Sequence, residues 1–145
     1  MMPSDAGPGQ VGLALQSTPL AVRRALSGLF QDDRLGCLQK HQRGTAELLL
    51  AEVLNNVVEH AYANEAGDIE VSVALQGRSL LFCVLDHGAE LPGHILPSGT
   101  LADFGQHSDL PEGGFGWHMI RALAKDVEYR RQNGCNELSF RLDLA

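Results

Sequence analysis

The stretch Glu47–Ala63, ELLLAEVLNNVVEHAYA, reads as a helix with two faces of different chemistry. Glu52, Asn56 and His60 recur at i, i+4 and i+8 and line up on one side, with Glu59 beside them. Leu50, Val53, Leu54, Val57, Val58 and Ala61 form an apolar stripe on the other. The helix is expected from about Thr45 to Ala63. Half of it belongs to a core. The other half sets a carboxylate, an amide and an imidazole against a folded body. By itself that polar face reads as solvated surface before it reads as a site.

Working outward toward the N-terminus, Val11–Leu15 suggests a short strand. Ser17 or Thr18 can cap a helix that has Pro19 in its first turn. That helix buries Leu20, Val22, Ala25, Leu26, Leu29 and Phe30, and Asp32–Gly36 ends it. The polar run Cys37–Gly44 is either a connection or an early start of the next helix.

Toward the C-terminus, Ile69, Val71, Val73 and Leu75 alternate with polar or small residues, as in a half-buried strand. Gln76-Gly77-Arg78 is a hairpin turn. Leu80–Leu85 is nearly continuous in its apolar character, which places it centrally in a sheet, with Cys83 as a core residue. The run breaks at Asp86-His87-Gly88. Residues 89–115 are rich in Gly, Pro and small polar residues and read as a functional loop or lid. A short helix over Gly116–Lys125 carries Met119, Ile120 and Leu123. Strands over Val127–Gln132 and Glu137–Leu144 follow, joined by a turn at Asn133-Gly134. The fold class is α+β: a two-layer sandwich with helices packed on one face of a mostly antiparallel mixed sheet. Residues 1–10 read as a flexible tail and 11–145 as one domain.

Composition narrows the function classes. A chain of 145 residues with 44% hydrophobic content supports a real core. Its net charge of −7, with no basic stripe, disfavours direct nucleic-acid binding. No apolar run reaches the ~18–20 residues of a membrane span. Cys37, Cys83 and Cys135 form no CxxC pair, which disfavours zinc and dithiol chemistry, and sparse thiols suit a reducing cytoplasm.

Three places could together hold a nucleotide. On the helix, Glu52 is a candidate general base, and Asn56 offers a neutral oxygen suited to Mg²⁺. At Asp86-His87-Gly88, a carboxylate can accept from an exocyclic amine while Gly88 lets the backbone approach a base. At Glu112-Gly113-Gly114-Phe115-Gly116-Trp117, three glycines precede a helix N-terminus and free its N–H groups for an anion. Each signal is weak alone: a wet helix face, an ordinary Asp-Gly turn, a hinge.

As a set, in this order, they resemble the GHKL ATPase superfamily. Within it the chain resembles the bacterial anti-sigma factor serine kinases. AEVLNNVVEHAY is similar to that family's N-box, LDHG to its adenine-contacting box, and PEGGFGWHMIRALAKDVEYRR to its phosphate loop and following helix. The resemblance implies the GHKL (Bergerat) fold and binding of ATP and Mg²⁺. It implies Glu52 as the catalytic residue and Asn56 as the magnesium ligand. Asp86 and Gly88 would contact adenine, and Gly113, Gly114, Phe115, Gly116 and Trp117 would lie at the phosphates. It further implies phosphorylation of a serine on a STAS-domain anti-anti-sigma partner, sequestration of a sigma factor, and homodimers, which are common in such families. Two features depart from the pattern. Glu90 stands where a second glycine is usual. Residues 89–115 hold no Lys or Arg, while Glu90, Asp103, Asp109 and Glu112 are acidic. These features favour the alternative expectation, a nucleotide-gated binding switch without kinase activity. Arg23 and Arg24 on the first helix are candidates for supplying the missing cation.

Overall fold

A computed structural model describes residues 10–62, 66–89, 120 and 122–144; at 60 and 61 it describes the backbone alone. The elements are β1 (Gln10–Gln16), α1 (Pro19–Phe30), a 3-10 turn (Asp33–Leu35), α2 (Lys40–Asn56), a π-helical turn (Val57–Ala61), β2 (Asp68–Gln76), β3 (Ser79–Asp86), β4 (Lys125–Gln132) and β5 (Cys135–Asp143). The five strands form one sheet in the order β1-β2-β3-β5-β4. All four described pairings are antiparallel, so the sheet is not mixed among these residues.

Local chemistry explains the connections. The Thr18 hydroxyl accepts from the Ala21 N–H at 3.2 Å and caps α1, with Pro19 next in line. In the β2–β3 turn Gly77 sits at φ 63°. In the β4–β5 turn Asn133 and Gly134 sit at φ 55° and 74°, the doubly left-handed geometry that Asn-Gly suits. The polar run before α2 resolves as an early helix start: Gln39 N–H donates to Gln42 Oε1 at 2.9 Å, and the helix begins at Lys40.

The core lies between the helices and one face of the sheet. Val22, Leu26, Leu29 and Phe30 of α1 and Leu49, Leu50, Val53 and Leu54 of α2 are buried there. They meet the inward positions Val11, Val73, Phe82 and Phe140, which share one rung across β1, β2, β3 and β5. The Phe82 and Phe140 rings stack at 4.7 Å.

Some expectations differ from what is found. Leu20 is 53% exposed, because it precedes the inward stripe of α1. Cys83 is not core. Strict alternation in β3 buries Leu80, Phe82, Val84 and Asp86 and turns Cys83 to the face without helices, where it is half-buried beside Glu137. The continuous apolar run marks a central strand, flanked by β2 and β5, whose outer face is only partly covered. The short helix expected to run to Lys125 stops earlier. Ala124 N–H closes on Ile120 O at 2.8 Å, and Lys125 already belongs to β4. β4 carries a bulge between Lys125 and Glu128, with Asp126 at φ 50°.

Candidate nucleotide site

The polar side of α2 is not simply wet. Glu52 is half-buried and Asn56 is 4% exposed. Asn56 Nδ2 donates to Glu52 O at 2.7 Å, which fixes the amide and turns its oxygen the opposite way. A buried neutral amide oxygen held in one rotamer fits an ion that prefers oxygen ligands and keeps its waters. Among the described residues, no group of three or more His, Cys, Asp or Glu side chains could hold a metal ion. A magnesium ion here would rest on Asn56 and on phosphate oxygens, not on a protein cage.

The helix does not continue as an α-helix past Asn56. Tyr62 N–H bonds to Val57 O at 3.3 Å, an i→i+5 closure that widens the last turn. The i, i+4, i+8 alignment expected through His60 is therefore broken at its last step, and the His60 side chain lies outside the described residues. The widened turn delivers Tyr62 to the sheet. Its hydroxyl donates to Asp68 O at 2.9 Å and accepts from His87 N–H at 2.7 Å. One side chain thus ties the end of α2 to the start of β2 and to the end of β3. Burial, above all, raises the Tyr62 pKa, opposed by the His87 N–H.

At the end of β3, sheet register brings polar groups together. Inward positions of β3 run Leu80, Phe82, Val84, Asp86; those of β5 run Asn136, Leu138, Phe140, Leu142. Asp86 pairs with Asn136 on one rung, and Arg131 of β4 pairs with Asn136 on the same rung. Asp86 is 2% and Asn136 1% exposed. Asn136 Nδ2 donates to Asp86 Oδ1 and to Ala89 O, both at 2.8 Å. Its Oδ1 accepts from the Tyr129 hydroxyl at 2.5 Å and from Arg131 Nη1 at 3.0 Å. Gly88 N–H donates to Asp86 Oδ1 at 2.9 Å, and Arg131 Nη1 donates to Gly88 O at 2.6 Å. Burial pushes the Asp86 carboxyl above its ordinary range, and the donors from Asn136 and Gly88, with the charge of Arg131, oppose it.

The structure therefore links two of the three expected places, the α2 face and the Asp86–Gly88 turn, through Tyr62. Gly113, Gly114, Phe115, Gly116 and Trp117 lie outside the described residues, as does Glu90. Arg23 and Arg24 are exposed on α1. Sequence reasoning missed Asn136, Arg131 and Tyr62. One signal was available for Asn136: it is an amide at a core-facing position of an otherwise apolar alternation.

A family model described as "Histidine kinase-like ATPase domain" matches residues 6–142. The chain belongs to that family. It is similar to the serine-protein kinase RsbW of Bacillus cereus (strain AH820), at 28% identity over 94 residues, covering 63% of this chain and 59% of that one. RsbW of Bacillus mycoides (strain KBAB4) matches with the same identity and coverage. The chain thus spans less than two thirds of the length of these relatives. Among solved structures, the RsbU and RsbW domains of Rv1364c from Mycobacterium tuberculosis align over 93% of this chain and 32% of that one. The TM-score is 0.62 at 20% identity, a likeness of fold. The α+β sandwich with a five-stranded antiparallel sheet is the histidine kinase-like ATPase arrangement. The family is that of ATPase domains, and ATP is the ligand it implies.

Proposed function

We propose that this protein is an ATP-dependent serine-protein kinase that acts on a STAS-domain anti-anti-sigma factor and sequesters a sigma factor in the cytoplasm. In the reaction, the serine oxygen of the partner forms a bond to the γ-phosphorus as the bond to the β-phosphate oxygen breaks and ADP leaves. Glu52 takes the hydroxyl proton. Asn56 would hold Mg²⁺, which supplies charge relief at the phosphate oxygens. Asp86, with Gly88, receives the base. Gly113, Gly114, Phe115, Gly116 and Trp117 are assigned to the phosphates by their sequence alone. A homodimer belongs to the same reading.

The observation that carries the reading is the buried carboxylate of Asp86, fixed by Asn136 and Gly88 and tethered through Tyr62 to the helix bearing Glu52 and Asn56. Burial raises the pKa of this carboxylate, and buried carboxylates held in this way cluster at functional sites. Similarity to serine-protein kinases named RsbW supports the choice of reaction.

One observation favours a second reading. Residues 89–115 contain four carboxylates and no Lys or Arg, so that segment adds no fixed cation at the phosphates. On this reading the protein is a nucleotide-gated switch that binds a STAS protein or other regulator without phosphorylating it. The test is incubation with labelled ATP, Mg²⁺ and a STAS-domain protein, beside a Glu52→Ala control. Label on the STAS serine that is absent with Glu52→Ala supports the kinase. Tight STAS binding without label removes the kinase and leaves the switch.

A further inference from the structure

We propose that Arg131, acting with Asn136, is a positioning residue for nucleotide binding, and that it fixes which hydrogen-bonding groups the Gly88–Ala89 turn presents to a base. The inference rests on the reading of Asp86 as the base contact. Both carbonyls of the turn are taken: Gly88 O by Arg131 Nη1 at 2.6 Å and Ala89 O by Asn136 Nδ2 at 2.8 Å. Each carbonyl is thereby held toward the protein, which limits the direction from which a ligand can reach its remaining lone pair. The Asp86 carboxylate is fixed as well, because both of its described bonds, from Gly88 N–H and Asn136 Nδ2, fall on Oδ1. That orients Oδ2 as the acceptor for an exocyclic amine.

Asn136 can serve this purpose because an amide both donates twice and accepts twice. Its Nδ2 gives to Asp86 and Ala89, while its Oδ1 receives from Tyr129 and Arg131. Arg131 closes the arrangement from the edge strand. One nitrogen bonds the turn and the amide together, so the turn cannot shift without breaking a charge-assisted bond. Arg131 is itself exposed, so its value lies in ordering the turn and not in core packing. A turn ordered before binding loses less entropy when the ligand arrives, and the same order rejects a base that needs a different donor pattern.

The experiment is titration of ATP and GTP, with Mg²⁺, into the full chain and its Arg131→Ala and Arg131→Lys variants, with melting temperatures measured in parallel. Arg131→Ala is expected to bind ATP roughly 5- to 20-fold more weakly, with a smaller ATP-over-GTP preference and a melting point within about 2 °C of the parent. Arg131→Lys, which keeps a charged donor, is expected to recover part of both affinity and preference. An Arg131→Ala variant that binds ATP within about twofold of the parent, at an unchanged preference, overturns the positioning role while leaving Asp86 as the base contact. An affinity loss accompanied by a large loss of stability assigns Arg131 to the fold and also overturns it. A parent protein that binds neither nucleotide overturns the positioning role together with the reading of Asp86.

Discussion

The tether from Tyr62 is open to a double-mutant test at Gly67. A Cβ at Gly67 would lie 2.2 Å from Tyr62 Cε1, 2.4 Å from Cζ and 2.7 Å from Cδ1. To reach 3.4 Å, where ordinary contact begins, the ring must withdraw by about 1.2 Å. The hydroxyl moves with it, and its bonds to Asp68 O and His87 N–H, at 2.9 and 2.7 Å, do not survive such a shift. Overpacking costs about 1–3 kcal/mol and the two lost bonds about 2 kcal/mol together, so Gly67→Ala should destabilise by roughly 3–5 kcal/mol. For a chain of 145 residues this is a fall of roughly 9–15 °C in melting temperature.

The assay is thermal and urea unfolding of four proteins: parent, Gly67→Ala, Tyr62→Ala and the double variant. With the ring gone the clash is gone, and no left-handed φ constrains Gly67. Gly67→Ala in the Tyr62→Ala background should therefore change stability by less than about 0.5 kcal/mol. Equal destabilisation in both backgrounds would rule out the clash with Tyr62, because the backbone around Gly67, paired to Ser17 through both its N–H and its C=O, would then be what rejects a side chain.

Two further predictions follow from burial. The folded-state pKa of Asp86 lies above its ordinary value, so between that value and the raised one the native state holds more protons than the unfolded chain. Asp86 therefore costs stability when ionised, and the cost disappears as pH falls through the raised pKa. Asp86→Asn should melt higher than the parent at neutral pH by a few degrees, with the difference shrinking in acid; a difference independent of pH would remove desolvation as its cause. For the thiols, burial first and Glu137 second push Cys83 up to about 11, while Cys37 is exposed. Alkylation at pH 8 followed by peptide mapping should find Cys37 modified well before Cys83, and the reverse order would contradict the placement of Cys83 on the sheet.

Much of the fold was legible because it depends on local chemistry. Thr18-Pro19, Gly77 and Asn133-Gly134 fix a helix start and two turns by their own backbone preferences. Leu50, Val53, Leu54 and Val57 mark the buried stripe by spacing alone. What was not legible depends on register between distant strands. Asn136 meets Asp86 only because β3 and β5 pair in one particular register, and nothing near position 136 announces a partner 50 residues away. Tyr62 reaches His87 only because α2 ends in an i→i+5 turn, which heptad-like counting cannot foresee. Leu20 and Cys83 were misjudged for a related reason: apolar character says a residue tolerates burial, not which face it occupies. The acidic segment beyond Ala89, and Gly116 and Trp117 after it, lie outside the described residues.

The proposed role of Asp86 is to receive an amine-bearing base in an ATP site whose other wall is Glu52 and Asn56. Equilibrium titration of Mg·ATP into the parent and Asp86→Asn tests it most directly. With Asn136 holding one oxygen position of the side chain, the substituted amide must turn its NH₂ toward the base, setting donor against donor. ATP should bind the parent and bind Asp86→Asn roughly 30- to 300-fold more weakly, at a melting temperature no lower than the parent's. Equal ATP affinity in the two proteins, or no ATP binding by the parent, would contradict it.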